Sequence, residues 1–299
     1  MKKILLSAVS LAFAVLAGAP AYAQATRTWV SGTGNDANPC SITAPCKTFA
    51  GAISFTAALG EINCLDSGGF GAVTITKSLT IDCSGVIAGV LNAGTTGIIV
   101  NAGGGAVTLR GLTIDGAGTG VIGVNILGAS KVNLENVQVF GNTQHGVKDS
   151  RTVGGTVLVI QNSTIRNNNG PGIGGVASSA SGMVIENVIS KQNQYGIAIA
   201  NGLTAVIKGS SFSNNVISGI QADGGAAIHI TDSTMTFNVT GAQINGSATM
   251  ANNSVVYNTT GFSGGGTITS FGNNRVFGNT SAGQALVAAG PASTDLGQK

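Results

Sequence analysis

Charge is in short supply. Asp, Glu, Lys and Arg make up 8% of the 299 residues, and the basic ones gather in no cluster. That excludes the dense cationic surface that nucleic acid or an anionic membrane would require. Aromatic residues are 5%, and beyond residue 23 the only Trp or Tyr side chains are Trp29, Tyr195 and Tyr257. Platforms for stacking sugars are correspondingly few. Beyond the first two dozen residues no run is long and apolar enough to cross a bilayer as a helix. Low charge is nevertheless combined with 43% hydrophobic residues, which excludes the composition of a disordered chain.

What the chain has instead is repetition. One phrase returns seven times, as LENVQVFGN at 134–142, IQNSTIRNN at 160–168, IENVISKQN at 185–193, IKGSSFSNN at 207–215, ITDSTMTFN at 230–238, MANNSVVYN at 250–258 and FGNNRVFGN at 271–279. The closing asparagines, Asn142, Asn168, Asn193, Asn215, Asn238, Asn258 and Asn279, are separated by 26, 25, 22, 23, 20 and 21 residues. A period near 22 residues describes a stack of units, each leaning on its neighbours.

Columns through the repeats separate inside from outside. Eight residues before the closing Asn stand Leu134, Ile160, Ile185, Ile207, Ile230, Met250 and Phe271. Three before it stand Val139, Ile165, Ser190, Phe212, Met235, Val255 and Val276. Mostly polar residues fall between, which is the alternation of half-buried strands. Six before the closing Asn comes a column of Asn136, Asn162, Asn187, Gly209, Asp232, Asn252 and Asn273, residue types that tolerate a left-handed bend. Its stacked amides are expected to bond along the column as a buried structural ladder. A strand, an Asn bend, a second strand and a return led by Gly-Val or Gly-Ile at 146, 172, 196 and 219 complete one coil.

This phrase resembles the repeat of right-handed parallel β-helix proteins of the pectin-lyase-like superfamily, over most of the chain. The resemblance implies an all-β solenoid of about ten coils, some 50 Å long at a strand spacing of ~4.8 Å. It implies no single chemistry, since the superfamily holds lyases, hydrolases, epimerases, adhesins and phage tail proteins.

At the start, two lysines, an apolar run from Ile4 to Leu16 and the exit Ala21-Tyr22-Ala23 read as a secretory signal peptide over 1–23. Loss of Lys2 and Lys3 lowers the formal charge from +3 to +1. The expected protein is exported, secreted or periplasmic, and has no membrane span after cleavage. Residues 24–60 read as an N-terminal extension with a capping helix, 61–280 as the β-helix and 281–299 as a tail that leaves the pattern. In TFAGAISFTAALG, Phe49, Ile53 and Ala57 recur at helical spacing, Thr48 can cap the start and Gly60 can end it. Such a helix would cover the open apolar end of the first coil.

The four cysteines, Cys40, Cys46, Cys64 and Cys83, allow three pairings in an oxidising compartment. Cys64 with Cys83 is favoured, because EINC and TIDC read as equivalent strand ends one coil apart. Cys40 with Cys46 then closes a short loop. No metal site is expected: the spacings do not fit a zinc knuckle and no His lies nearby.

Candidates for chemistry are sparse among eleven acidic residues. Aligning AVTITKSLTID with AVTLRGLTID sets Asp82 over Asp115 and Lys77 over Arg110. In outline this is similar to the superfamily's polysaccharide lyases, in which clustered carboxylates hold calcium and a basic residue takes the proton α to a uronate carboxyl. Two carboxylates make a thin calcium site, and neither the paired aspartates of polygalacturonases nor the Asp-Pro-His of alginate epimerases is present. A stacked column of opposite charges is the simpler reading. The column seven before the closing Asn supports it, with Glu135, Gln161, Glu186 and Lys208 following Arg110, so that Arg110–Glu135 and Glu186–Lys208 become cross-strand pairs. The turn NTQHGVKDSRT gathers His145, Lys148, Asp149 and Arg151, a candidate binding cluster or a solvated turn. His229 should point outward between Ile228 and Ile230.

Two function classes follow. The favoured one is an exported, non-catalytic β-helix presenting long faces for adhesion, or for contact with a polysaccharide or cell-envelope polymer, with no cofactor. The alternative is a polysaccharide-active enzyme, foremost a calcium-dependent uronate lyase. A cleft of convergent carboxylates with aromatic platforms would separate them. Oligomeric state leaves no signature in the sequence.

Overall fold

The computed structural model describes residues 24–176 and 181–290. The expected signal peptide and the last nine residues lie outside them. Described strands fall into three parallel sheets, one of twelve strands and two of ten. Each coil contributes one strand to each sheet, so about ten coils stack into a three-faced parallel solenoid.

One coil shows how the phrase produces this. Val157–Gln161 lies in the twelve-stranded sheet, Thr164–Arg166 in a second sheet and Ile173–Gly175 in a third, before the chain rejoins the first sheet at Ser181–Glu186. The two-strand coil expected from the sequence thus gains a third strand, formed by the Gly-led return. Neighbouring coils are in register: Leu134 pairs with Ile160, Ile160 with Ile185, Ile185 with Ile207 and Ile207 with Ile230.

The inward columns are as expected over most of their length. Leu134, Ile160, Ile185, Ile207, Ile230 and Met250 are buried, as are Val139, Ile165, Phe212, Met235 and Val255. Phe271 and Val276, in the last repeat, are only half-buried. Ser190, the polar exception, is buried and donates from Oγ to the Gly196 carbonyl at 2.7 Å.

The expected bend column takes a left-handed backbone, with φ from 51° to 59° at Asn136, Asn162, Asn187, Gly209, Asp232 and Asn252. Asn273 does not; Gly272 beside it has φ 84°. This column is exposed, and its amide contacts are scattered, such as Asn187 Nδ2 to Asn162 Oδ1 at 3.3 Å and Asn252 Nδ2 to Asp232 Oδ1 at 2.5 Å. It is therefore not the buried ladder. That ladder is made by the closing asparagines. Asn142 Nδ2 donates to Asn168 Oδ1 at 2.9 Å, Asn168 to Asn193 at 3.0 Å, Asn215 to Asn238 at 3.0 Å, Asn238 to Asn258 at 3.1 Å and Asn258 to Asn279 at 3.0 Å. Asn142, Asn168, Asn193, Asn215, Asn238 and Asn258 are buried, where an unpaired amide would be costly. Two of them, Asn238 and Asn258, head apparent glycosylation sequons whose side chains the ladder consumes.

The glycine that opens each return follows from this ladder. A Cβ on Gly219 would lie 2.7 Å from the Gly241 carbonyl oxygen and 3.0 Å from Asn238 Nδ2. Any side chain there would push neighbouring coils apart.

At the N-terminal end, Ala25–Val30 is already a strand of the stack, paired in parallel with Thr56–Cys64. The solenoid therefore starts before residue 61. The expected helix forms at Phe49–Phe55; Thr48 Oγ1 accepts the Gly51 N–H at 2.9 Å, and Phe49 and Ala52 are buried. It ends at Phe55, and Ala57 and Gly60 belong to the strand that follows. Cys64 joins Cys83, with Cα atoms 4.8 Å apart, and Cys40 joins Cys46. At the other end Ser281–Gly283 and Val287–Ala288 continue the sheets, so the pattern outlasts its expected end at 280. Among the described residues no helix is long and apolar enough to cross a membrane.

Candidate functional site

The outward position near the end of eight consecutive strands in the twelve-stranded sheet forms a polar ladder. Its order is Asn63, Asp82, Arg110, Glu135, Gln161, Glu186, Lys208 and Thr231. Arg110 stands at its centre, with Nε 2.8 Å from Glu135 Oε2 and Nη1 3.5 Å from Asp82 Oδ2. Gln161 Nε2 donates to Glu186 Oε2 at 2.9 Å. Burial opposes charge on Asp82, but hydrogen bonds from Ser84 and the Arg110 guanidinium together hold its pKa below the ordinary value. The Glu135 hydrogen bond does most to raise that of Arg110, with Glu135 and Asp82 adding their charge. Each exposed pair contributes about 0.2–1 kcal/mol, enough to favour register.

The ladder overturns one expected juxtaposition. Asp82 is paired with Arg110, not Asp115. Asp115 lies in the second sheet, between Leu91 and Phe140. The words LTID at 79–82 and 112–115 serve two different sheets. Lys77 does not stand over Arg110 either; its Nζ donates to the Thr56 carbonyl, and burial lowers its pKa. A calcium ion therefore finds no fitting donors here, since Asp82 is engaged by Arg110 and Ser84 and Asp115 is on another face. Among the described residues no three His, Cys, Asp or Glu side chains converge on a possible metal position.

The turn cluster also divides. Asp149 and Arg151 are each 4% exposed and form a two-bonded pair, Nε to Oδ1 at 2.8 Å and Nη2 to Oδ2 at 2.6 Å. Arg151 Nη1 donates further to the Ala129 carbonyl at 2.8 Å. The guanidinium borders a cavity of about 420 Å³ lined by Gly104, Leu127, Ser130, Val153 and Thr156, but its bonds are spent on holding the backbone. His145 is largely buried, its Nδ1 without a hydrogen-bond partner. Burial, aided by the charge of Lys148, lowers its pKa to about 4. Asp149 and Arg151 are therefore a buried structural pair, not part of a solvated turn. His229 does face outward, and its Nδ1 lies 2.7 Å from Thr249 Oγ1.

The second sheet holds a feature that column reading by strand missed. The residue just before the closing Asn is a second left-handed bend, with φ 54–57° at Asn167, Gln192, Asn214, Phe237 and Tyr257. Phe237 and Tyr257 are exposed and stack with ring centroids 5.7 Å apart and planes 14° apart. Phe277 meets Tyr257 edge-on at 6.2 Å. The signal is present in MTFN, VVYN and RVFGN, but these aromatic rings fall in two adjacent columns of the repeat. Further along the same face, Arg166 lies over the Phe140 ring at 4.1 Å.

The chain is similar to solved structures of this architecture. A pectate lyase, Pel9A, matches at 15% identity over 91% of this chain and 82% of its own, with a TM-score of 0.63. The A-modules of the Azotobacter vinelandii mannuronan C-5 epimerases AlgE6 and AlgE4 each match at 13% identity. They cover 78% and 77% of this chain and 91% and 90% of their own, with TM-scores of 0.44 and 0.48. No curated protein sequence matches. The family model described as right handed beta helix region matches residues 123–281. It spans more than half of the sequence, and the chain belongs to that right-handed β-helix family.

Proposed function

We propose that this is an exported, non-catalytic β-helix protein that presents its long faces to a polysaccharide of the cell envelope or surroundings. The observation that carries this reading is the Asp82–Arg110–Glu135 ladder. Asp82 and Glu135 share the Arg110 guanidinium along the stack, and Glu61 is likewise paired with Arg27 on the same face. A proton acceptor for uronate chemistry must be free of such partners, and a cation must be held by several oxygens. The two disulfides fit folding in an oxidising compartment, secreted or periplasmic. A pectate lyase with the same fold makes polysaccharide the partner class to test first.

The alternative, a calcium-dependent lyase, has a direct test. The purified protein is incubated with calcium and pectate or alginate, and absorbance from unsaturated uronides is followed in the ultraviolet. No rise is expected. A calcium-dependent rise that disappears in Arg110→Ala would establish the enzyme reading.

A further inference from the structure

We propose that the outward face of the second sheet, together with the Phe237–Tyr257–Phe277 ladder on its edge, is a binding site for a linear acidic polysaccharide lying along the solenoid axis. This rests on the polysaccharide reading above and names the face and the polymer class.

The first observation is where the aromatics sit. Tyr257 and Phe237 hold φ of 56° and 55°, a backbone region that bulky side chains rarely adopt. The same bend is made in other coils by Asn167, Asn214 and the glycines Gly141 and Gly278, which fit it more easily. The rings recover little by burial, since Phe237 is 61%, Tyr257 52% and Phe277 68% exposed. Strain held at an exposed site, where the rings meet only one another, points to a role outside the fold. Gly278 adds to the design, because a Cβ there would lie 2.7 Å from the Tyr257 ring. Val216, Val239 and Thr259 line the shallow groove beside the rings.

The second observation is charge. From Gln138–Asn142 to Arg275–Phe277 the seven strands of this face carry Arg166, Lys191 and Arg275 and no acidic residue. Asp115 lies one strand before this stretch. Asp232 stands at the bend on the opposite edge, where Asn252 engages it and lowers its pKa. The acids Glu135 and Glu186 belong to the twelve-stranded face. Arg166 and Lys191 are register partners, one coil apart, and the aromatic ladder begins two coils after Lys191. Flat rings suit the apolar faces of sugar rings, and separated cations suit carboxylates. Three cations are too few for a nucleic-acid backbone, and a neutral glycan would offer them no opposite charge.

The test is affinity electrophoresis of the full secreted protein through gels containing polygalacturonate, alginate, dextran or cellulose derivatives, without calcium. Two double variants are compared, Phe237→Asn with Tyr257→Asn and Arg166→Gln with Lys191→Gln. Asn is the residue this bend uses elsewhere, so the first variant should melt no lower than the wild type. Retardation by an acidic polymer is expected, weakened at least about tenfold by either double variant, and the second should also lose most of its salt sensitivity. Undiminished binding by both variants overturns the assignment of this face but leaves polysaccharide contact standing. Retardation by a neutral polymer alone overturns the acidic class and likewise spares the broader reading. Absence of retardation in every gel overturns both.

Discussion

Asn215 and Asn238 are tied twice at one atom: the Asn215 backbone N–H and its Nδ2 both donate to Asn238 Oδ1, at 2.9 and 3.0 Å. Asn215 Oδ1 in turn accepts the Asn193 N–H at 3.1 Å. Each buried amide thus serves the coil on either side. Replacing Asn215 by Gly should cost about 2–4 kcal/mol, because several buried groups lose partners at once. Replacing the exposed Asn187 by Gly should change stability by less than about 0.5 kcal/mol, since only its φ of 53° must be kept. Equal shifts in the denaturant midpoint would contradict this division of roles.

The pair formed by Asp149 and Arg151 predicts a large asymmetry. Arg151→Ala leaves a buried carboxylate without its partner and an unpaired Ala129 carbonyl, and should cost about 3–5 kcal/mol. Asp82→Ala, at the half-exposed end of the Arg110 ladder, should cost under about 1 kcal/mol. Thermal unfolding of the two variants checks this, and a smaller loss for Arg151→Ala would show that the pair is not a structural element.

His145 predicts a window of acid sensitivity. Its pKa is about 4 in the folded protein against an ordinary 6.5. Between those values the unfolded chain binds more protons, so stability falls as the pH drops below 6.5, and the loss is complete near 4. Allowing for the exposed part of the ring, about 1–2 kcal/mol should disappear. Asp66, held low mainly by its hydrogen bond from Ser31, acts in a separate window that opens only below 3.8. Urea unfolding at pH 7 and 4.5 should show the loss in the wild type and not in His145→Gln. Parallel pH profiles would contradict it.

The coil and its inward columns were legible because alternation and period act together over seven copies. The two asparagine columns differ in a physical signal that the repeat carries. A bend with positive φ accepts Gly209 and Asp232 as readily as Asn, whereas an amide that must both donate and accept accepts neither. The closing column is Asn in all seven copies for that reason. Sheet membership was harder. LTID at 79–82 and at 112–115 has the same inward Leu and Ile, and only the coil length between them decides which sheet each joins. The shared word aligns Asp82 with Asp115, whereas the fold sets them on different sheets. The Arg110–Glu135 pair was legible because both residues fall in one column of the repeat.

We propose that this solenoid holds a polysaccharide without cutting it. The most direct measurement is the chain-length distribution of polygalacturonate recovered from its complex with the protein after long incubation with calcium, read by size-exclusion chromatography with light scattering. The account predicts polymer that co-elutes with the protein and is recovered at its starting length. Polymer recovered shortened, with unsaturated ends, would contradict it.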